Sequence, residues 1–239
     1  MEKMRLQKFL ALSNVCSRRT AEELIKKGKV KINNIIAKIG DKIDPEKDRI
    51  YVDNKVIRYK PMPYSYFIVN KPRGYVTTLS DEAGRKCVVD LTKGITARVF
   101  PVGRLDRESE GLIILTNDGQ LANTLTHPSK HISKVYRVTV KGIPSLEQLK
   151  QLRNGVTLDD GYNTMPAEVK VKTEKEDRTI LTFTIREGKN RQIRRMCEAV
   201  SLEVLLLKRI CVGKLQLGHL KLGAYRMLDD KEIQYLKSL

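Results

Sequence analysis

Three clusters of polar residues interrupt apolar stretches of this 239-residue chain, and each holds side chains able to do chemistry. In Gly103-Arg104-Leu105-Asp106 the aspartate ends a strand-like run and precedes an acidic turn with Glu108 and Glu110. A carboxylate at a strand end can act as nucleophile or proton acceptor, or it can be an ordinary turn carboxylate paired with Arg104 or Arg107. Asp106 with Glu108 or Glu110 would also suit carboxylate-pair hydrolysis. Tyr136 sits in the alternating pattern KVYRV, where a tyrosine is ordinarily core or half-buried surface. The third cluster, EGKNRQIRRM, gathers Arg191, Arg194 and Arg195, which helical spacings of three and four would bring together. They form either a solvated basic face or, since Ile193, Met196 and Val200 make an apolar face beside Arg194, a cation placed to pair with a buried carboxylate.

Other chemistry finds little support. Cys16, Cys87, Cys197 and Cys211 are scattered and form no CxxC pair, as expected for thiols in a reducing compartment. His127 and His131 stand four apart, but Pro128 between them spoils a shared helical face, and His219 is distant. No metal site and no phosphate-binding loop is predicted, so the expected cofactor complement is none.

The elements that must position these residues follow from periodicity and turn chemistry. Leu6, Phe9 and Leu10 share a helical face, and Ser17 reads as the N-cap of a second helix that stops at Gly28. Short strands follow around turns at Asn33-Asn34 and Asp53-Asn54. Pro61 and Pro63 mark a linker at about 58–64, which divides the chain into domains 1–60 and 61–239. Beyond it, strands are expected at 66–69, 99–102, 112–115, 134–140, 167–173, 178–185 and 204–207. Helices are expected after Asp118, after a capping box at Ser145 and Gln148, over RQIRRMCEAV, and after Asp229. Strands dominate without βαβ alternation, so the fold class is α+β. It comprises a small basic unit of two helices and few strands, then a larger domain with a mixed, mostly antiparallel sheet.

Charge points to a polyanionic partner. The chain carries 46 Lys+Arg against 28 Asp+Glu, a net +18. Its first 60 residues hold 16 basic and 8 acidic residues, more than twice the net charge per residue of the remainder. A compact basic module ahead of a larger domain is the pattern of an attached nucleic-acid-binding unit, with Arg5, Lys8, Arg18 and Arg19 around its helices. No apolar run is long enough to cross a bilayer, and no signal-peptide pattern opens the chain, so a cytoplasmic protein is expected.

At these motifs the sequence resembles the RsuA/RluB family of ribosomal RNA pseudouridine synthases, over nearly its whole length. RLQKFLALSNVCSRRTAEELIKKGKVKIN resembles the family's small RNA-binding module. VGRLDRESEGLIILTNDG resembles its catalytic motif, KVYRV its tyrosine motif, EGKNRQIRRM its basic motif and Leu207-Lys208-Arg209 a further element. YFIVNKPRGYV and DDGYNTMPAEVKV resemble the large-subunit branch. The chain departs from the pattern at Ser201 and Asn34, where relatives usually carry glycine, and at Cys211, where many carry a basic residue.

The resemblance implies isomerisation of a uridine in ribosomal RNA to pseudouridine, with the catalytic domain at 61–239. It implies that Asp106 is the catalytic aspartate, that Tyr136 packs against the target base and that Arg194 pairs with Asp106. Leu207 would wall the pocket, and Arg104 would lie beside the flipped nucleotide. Further RNA contacts fall to Arg5, Lys8, Arg18, Arg19, Arg191, Arg195 and Arg209. The reaction is redox-neutral and needs no nucleotide cofactor. Asp106 could attack C1′, attack C6, or take a sugar proton, and the sequence does not choose among these routes. The expected partner is ribosomal RNA, the expected state a monomer; the alternative is a non-catalytic RNA-binding or ribosome-assembly factor.

Overall fold

Residues 3–59 and 62–239 are described by the structure, a computed structural model, and the chain divides into units Met1–Pro63 and Tyr64–Leu239. Pro61 of the expected linker lies outside the described residues.

In the first unit, β1 (Met4–Arg5) leads into α1 (Leu6–Leu12) and α2 (Arg18–Lys26). Ser17 caps α2, its hydroxyl accepting from the Thr20 N–H at 3.0 Å. β2 (Val30–Ile32), β3 (Ile35–Ile36), β4 (Lys42–Ile43), β5 (Ile50–Val52) and β6 (Lys55–Ile57) follow. Four strands form an antiparallel sheet in the order β3-β2-β5-β6. Its tight turns rest on Asn33, Asn34, Asp53 and Asn54, all at positive φ, where their short polar side chains are tolerated. Leu6, Phe9 and Leu10 of α1, Ala21 and Ile25 of α2, and Val30 and Ile50 of the sheet are buried together.

The second unit is built on β7 (Tyr66–Lys71), β8 (Phe100–Val102), β9 (Glu110–Thr116), β10 (Lys134–Lys141), β11 (Glu168–Glu174), β12 (Arg178–Ile185), β13 (Val204–Val212), β14 (Leu215–Gln216) and β15 (Tyr225–Met227). Their sheet runs β11-β12-β10-β13-β9-β7-β15, with β14 on β13 and β8 on β9. Every pairing in it is antiparallel except β13 with β9, which is parallel and joins two antiparallel halves. β7 and β9 are apolar without alternation because both their faces are covered. Phe67, Val69, Ile113 and Leu115 face a core with α4 (Leu146–Asn154) and α5 (Gln192–Ala199). Ile68, Leu112 and Ile114 face another with α3 (Gly119–Thr126) and α6 (Asp230–Lys237).

The parallel seam depends on Gly111. Its φ is +107°, and a Cβ there would sit 2.1 Å from the Arg209 carbonyl oxygen. Only glycine permits that approach. β13 also runs five residues beyond the expected Val204–Leu207, through Lys208 and Arg209 to Val212. Polar residues in mid-strand hide its continuation because both their neighbours are strands.

Candidate active site

Asp106 lies in the turn that leads into β9, and that turn is tied down through its carbonyls. Five successive carbonyls each accept a hydrogen bond. Arg104 accepts from Arg209 Nη1 (3.5 Å), Leu105 from the Thr77 hydroxyl (2.6 Å) and Asp106 from the Ser109 N–H (3.0 Å). Arg107 accepts from the Gly74 N–H (2.9 Å) and Glu108 from Arg194 Nη2 (2.9 Å) and Arg73 Nε (3.3 Å). The backbone is thus held without help from the Asp106 carboxylate, which has no hydrogen-bond or ion-pair partner among the described residues. That carboxylate is half-buried and lines a cavity of about 610 Å³. A turn held by its backbone leaves its side chain available to a ligand.

Tyr136, Leu207, Arg104, Arg191 and Arg209 line the same cavity. Register explains how they meet. Gly111 of β9 pairs with Arg209 of β13, and Arg209 pairs with Tyr136 of β10. Three strands therefore deliver one row of residues to the seam, and the Asp106 turn enters the same place from the start of β9.

The arginines depart from their expected arrangement. Arg191 is not within α5 but caps it, with a left-handed backbone (φ 48°), so the three do not share a helical face. Arg194 makes no direct pair with Asp106. Its Nη2 holds the Glu108 carbonyl and its Nη1 the Val204 carbonyl (3.4 Å), so it fixes the turn that carries the aspartate. Burial pushes the Arg194 guanidinium below its ordinary range, Arg191 and Arg73 push the same way, and Asp106 and Glu108 oppose them. Arg195 was expected to contact RNA, but Asp159 and Asp160 already engage its guanidinium. Arg209, likewise expected as an RNA contact, is 4% exposed and donates from Nε to the Leu112 carbonyl at 2.8 Å. It is part of the cavity floor, because a mid-strand position at the seam faces protein on both sides.

Arg104 and Arg191 are exposed at the cavity. In the first unit Arg5, Lys8, Arg18 and Arg19 are all exposed, with Arg5 also donating to the Gly40 carbonyl.

Several site residues escaped the sequence reading. Lys71, at the end of β7 and opposite Gly111, is fully buried and donates to the carbonyls of Pro72 (2.9 Å) and Tyr75 (2.8 Å). Burial lowers its pKa to about 8, against the opposing pull of Asp106, Glu110 and Glu108. Lys134 lines the cavity, and burial, then Arg209, pushes its ammonium below the usual lysine range. The Glu187 carboxylate accepts from the Tyr162 hydroxyl (2.7 Å), the Met165 N–H (2.9 Å) and Gln192 Nε2, tying the loop before β11 to the start of α5. The KPRG tetrapeptide after an apolar strand was the available signal for Lys71; nothing in local spacing connects Glu187 to Tyr162.

A basic first unit is thus followed by an α+β second unit whose cavity, lined by Asp106, Tyr136 and several arginines, sits at a parallel seam. Residues 65–199 match the family described as RNA pseudouridylate synthase, and residues 4–50 match the S4 domain. The chain is 45% identical to "Ribosomal large subunit pseudouridine synthase B" of Bacillus subtilis, over 98% of this chain and 96% of that protein. A protein of the same name from Vibrio vulnificus is 37% identical, over 98% of this chain and 75% of that one. A solved structure described as a pseudouridylate synthase superposes with a TM-score of 0.70 at 30% identity, covering 98% of this chain and 99% of that one. The chain belongs to the RNA pseudouridylate synthase family and is an RNA pseudouridine isomerase with an S4 domain.

Proposed function

We propose that the protein isomerises one uridine of large-subunit ribosomal RNA to pseudouridine, with Asp106 as the catalytic residue. The single observation that carries this is the Asp106 turn, whose five carbonyls all accept hydrogen bonds while its carboxylate has no partner among the described residues and faces the cavity. The large-subunit assignment is supported by the relatives that bear that name.

The reaction breaks the C1′–N1 bond, turns the uracil and rejoins it through C5. Atoms and electrons balance within the substrate, so this chemistry calls for neither a redox cofactor nor a nucleotide. What it requires is a carboxylate at a fixed place and a chamber that retains the detached base. Extrusion of the uridine from its stack costs roughly a few kcal/mol. The Tyr136 ring, 8% exposed at the cavity, supplies a face that returns part of that cost. Leu207 and Arg104 line the same cavity, which supports Leu207 as a pocket wall and Arg104 as a contact to the everted nucleotide. Arg194 acts through the Glu108 carbonyl as a positioning residue. The exposed Arg5, Lys8, Arg18 and Arg19 provide a grip on phosphates that is independent of sequence. A monomer acting on ribosomal RNA in the cytoplasm is part of the same proposal.

Carbodiimide-based primer extension on ribosomal RNA treated with purified protein tests the reading. Wild-type protein is expected to create one new pseudouridine stop, while Asp106→Asn creates none and binds RNA with little change. Identical RNA from both proteins would return the chain to the class of non-catalytic binding factors.

A further inference from the structure

The cavity extends well past Asp106, to a surface turn that the mechanism does not use. After α3, residues His127–His131 (HPSKH) form a single 3-10 turn, and His127, Pro128 and His131 all line the cavity. The turn abuts the catalytic loop, since a Cβ on Gly103 would lie 3.8 Å from the Thr126 methyl.

Its rings are exposed, yet it is stiffly made. The His127 ring Nδ1 lies 2.7 Å from the Ser129 hydroxyl and accepts from the Ser129 N–H at 3.3 Å. The Lys130 N–H donates to the His127 carbonyl (3.1 Å) and the His131 N–H to the Pro128 carbonyl (3.2 Å). Lys130 Nζ reaches the Leu239 carbonyl (2.9 Å). His131 closes the turn in a left-handed conformation (φ 45°), an unfavourable backbone for a residue with a side chain. A solvent-facing turn gains little stability from such constraint, but a binding platform gains affinity from being ordered beforehand.

The chemistry of the turn selects the ligand. His127 and His131 form no metal site, since no cluster of three or more metal-binding side chains occurs among the described residues. The two imidazoles offer flat, weakly polar faces of the kind on which unstacked bases rest, and Pro128 adds an apolar surface beside them. The cations that suit phosphates line the cavity elsewhere, at Arg186, Lys189 and Arg191 of the β12–α5 loop. Tyr162 is a poorer platform, because Lys189 Nζ covers its ring at 4.3 Å and Glu187 takes its hydroxyl.

We propose that His127, Pro128 and His131 form a second subsite, a stacking shelf for the base of a nucleotide adjacent to the target uridine. The inference rests on Asp106 marking the place of the target, and it adds a site that reads the unpaired state of a neighbouring base. RNA whose neighbour stays stacked in a helix would then be a poor substrate even when the uridine itself is accessible.

The test uses the full-length protein and a synthetic RNA fragment spanning the modified uridine. Two further fragments carry a base-free nucleotide immediately 5′ or immediately 3′ of it. Single-turnover rates are compared for wild type and for His127→Asn/His131→Asn, since asparagine tolerates the left-handed backbone and can still cap Ser129. Wild type is expected to lose about tenfold on one base-free fragment, the scale of one stacked base. The variant is expected to lose about the same on the intact fragment and to show no further loss when the base is removed. Equal penalties for base removal in wild type and variant would overturn the shelf, as would no penalty in either. Asp106→Asn is assayed alongside. Activity in that variant would remove the catalytic reading and the shelf with it, whereas an inactive Asp106→Asn with uncoupled histidines would refute the shelf alone. Melting temperatures and circular dichroism show whether each variant is folded.

Discussion

Lys71 makes the stability of the catalytic unit depend on pH in a way that can be calculated. Its folded pKa is about 8, lowered from 10.5 chiefly by burial, with the carboxylates of Asp106, Glu110 and Glu108 opposing and Arg209 adding to the fall. Between those two values the unfolded chain holds a proton that the folded chain has released, so the unfolded state binds more protons and stability rises with pH. Below the folded value the cost of burying the charge is borne in full; above the unfolded value it vanishes. Integrated from about pH 7 to about pH 9.5, the gain is about 2 kcal/mol. The perturbation is Lys71→Met, similar in length and without charge. It leaves the Pro72 and Tyr75 carbonyls unpartnered, at about 1–3 kcal/mol each, but that loss does not vary with pH and cancels in the comparison. Urea unfolding of both proteins at the two pH values supplies the difference, followed by circular dichroism because the chain has no tryptophan. Wild type should gain about 2 kcal/mol relative to Lys71→Met as pH rises. Parallel pH dependences would refute a charged, desolvated lysine at the seam.

Two further outcomes follow from the same structure. Gly111→Ala puts a methyl 2.1 Å from the Arg209 carbonyl oxygen at a backbone angle alanine resists, so it should part β9 from β13 and cost about 3–5 kcal/mol by denaturation; a cost under about 1 kcal/mol would contradict the seam. Deletion of residues 1–60 should weaken RNA binding and reduce its salt slope by up to about 3–4 if Arg5, Lys8, Arg18 and Arg19 each meet a phosphate, read from affinities over a salt series; an unchanged slope would mean the module contacts something other than RNA.

Local chemistry was the readable part of this fold. Ser17, Ser145 and Asp229 cap helices as their spacing implies, and the paired turn residues Asn33-Asn34 and Asp53-Asn54 adopt positive φ. The two departures from glycine keep the backbone glycine would have had, Asn34 at φ 72° and Ser201 at φ 59°. Contacts remote in sequence were not readable. Arg195 meets Asp159, 36 residues earlier, and Arg194 meets the Glu108 carbonyl, 86 residues earlier. No periodicity announces either. Arg209 looks like surface in LKRI because its burial comes from the parallel partner strand and not from its own neighbours.

That partner strand explains why the chemistry resides where it does. Lys71, Gly111, Arg209 and Tyr136 occupy one register row across β7, β9, β13 and β10. Two of the four are buried cations, and the residue between them has no side chain. The segment entering β9 is a separate loop with its own ties at Arg104 to Glu108, one of them to Arg209 of that row. Asp106, Glu110 and Glu108 in turn pull on the Lys71 ammonium in that row. The aspartate is therefore placed by hydrogen bonds to the carbonyls of its turn, and the sheet register sets the row of residues beside it. A change at Gly111 that shifted the seam would disturb both at once, which makes this glycine, though it touches no substrate, as consequential for the site as the arginine it contacts.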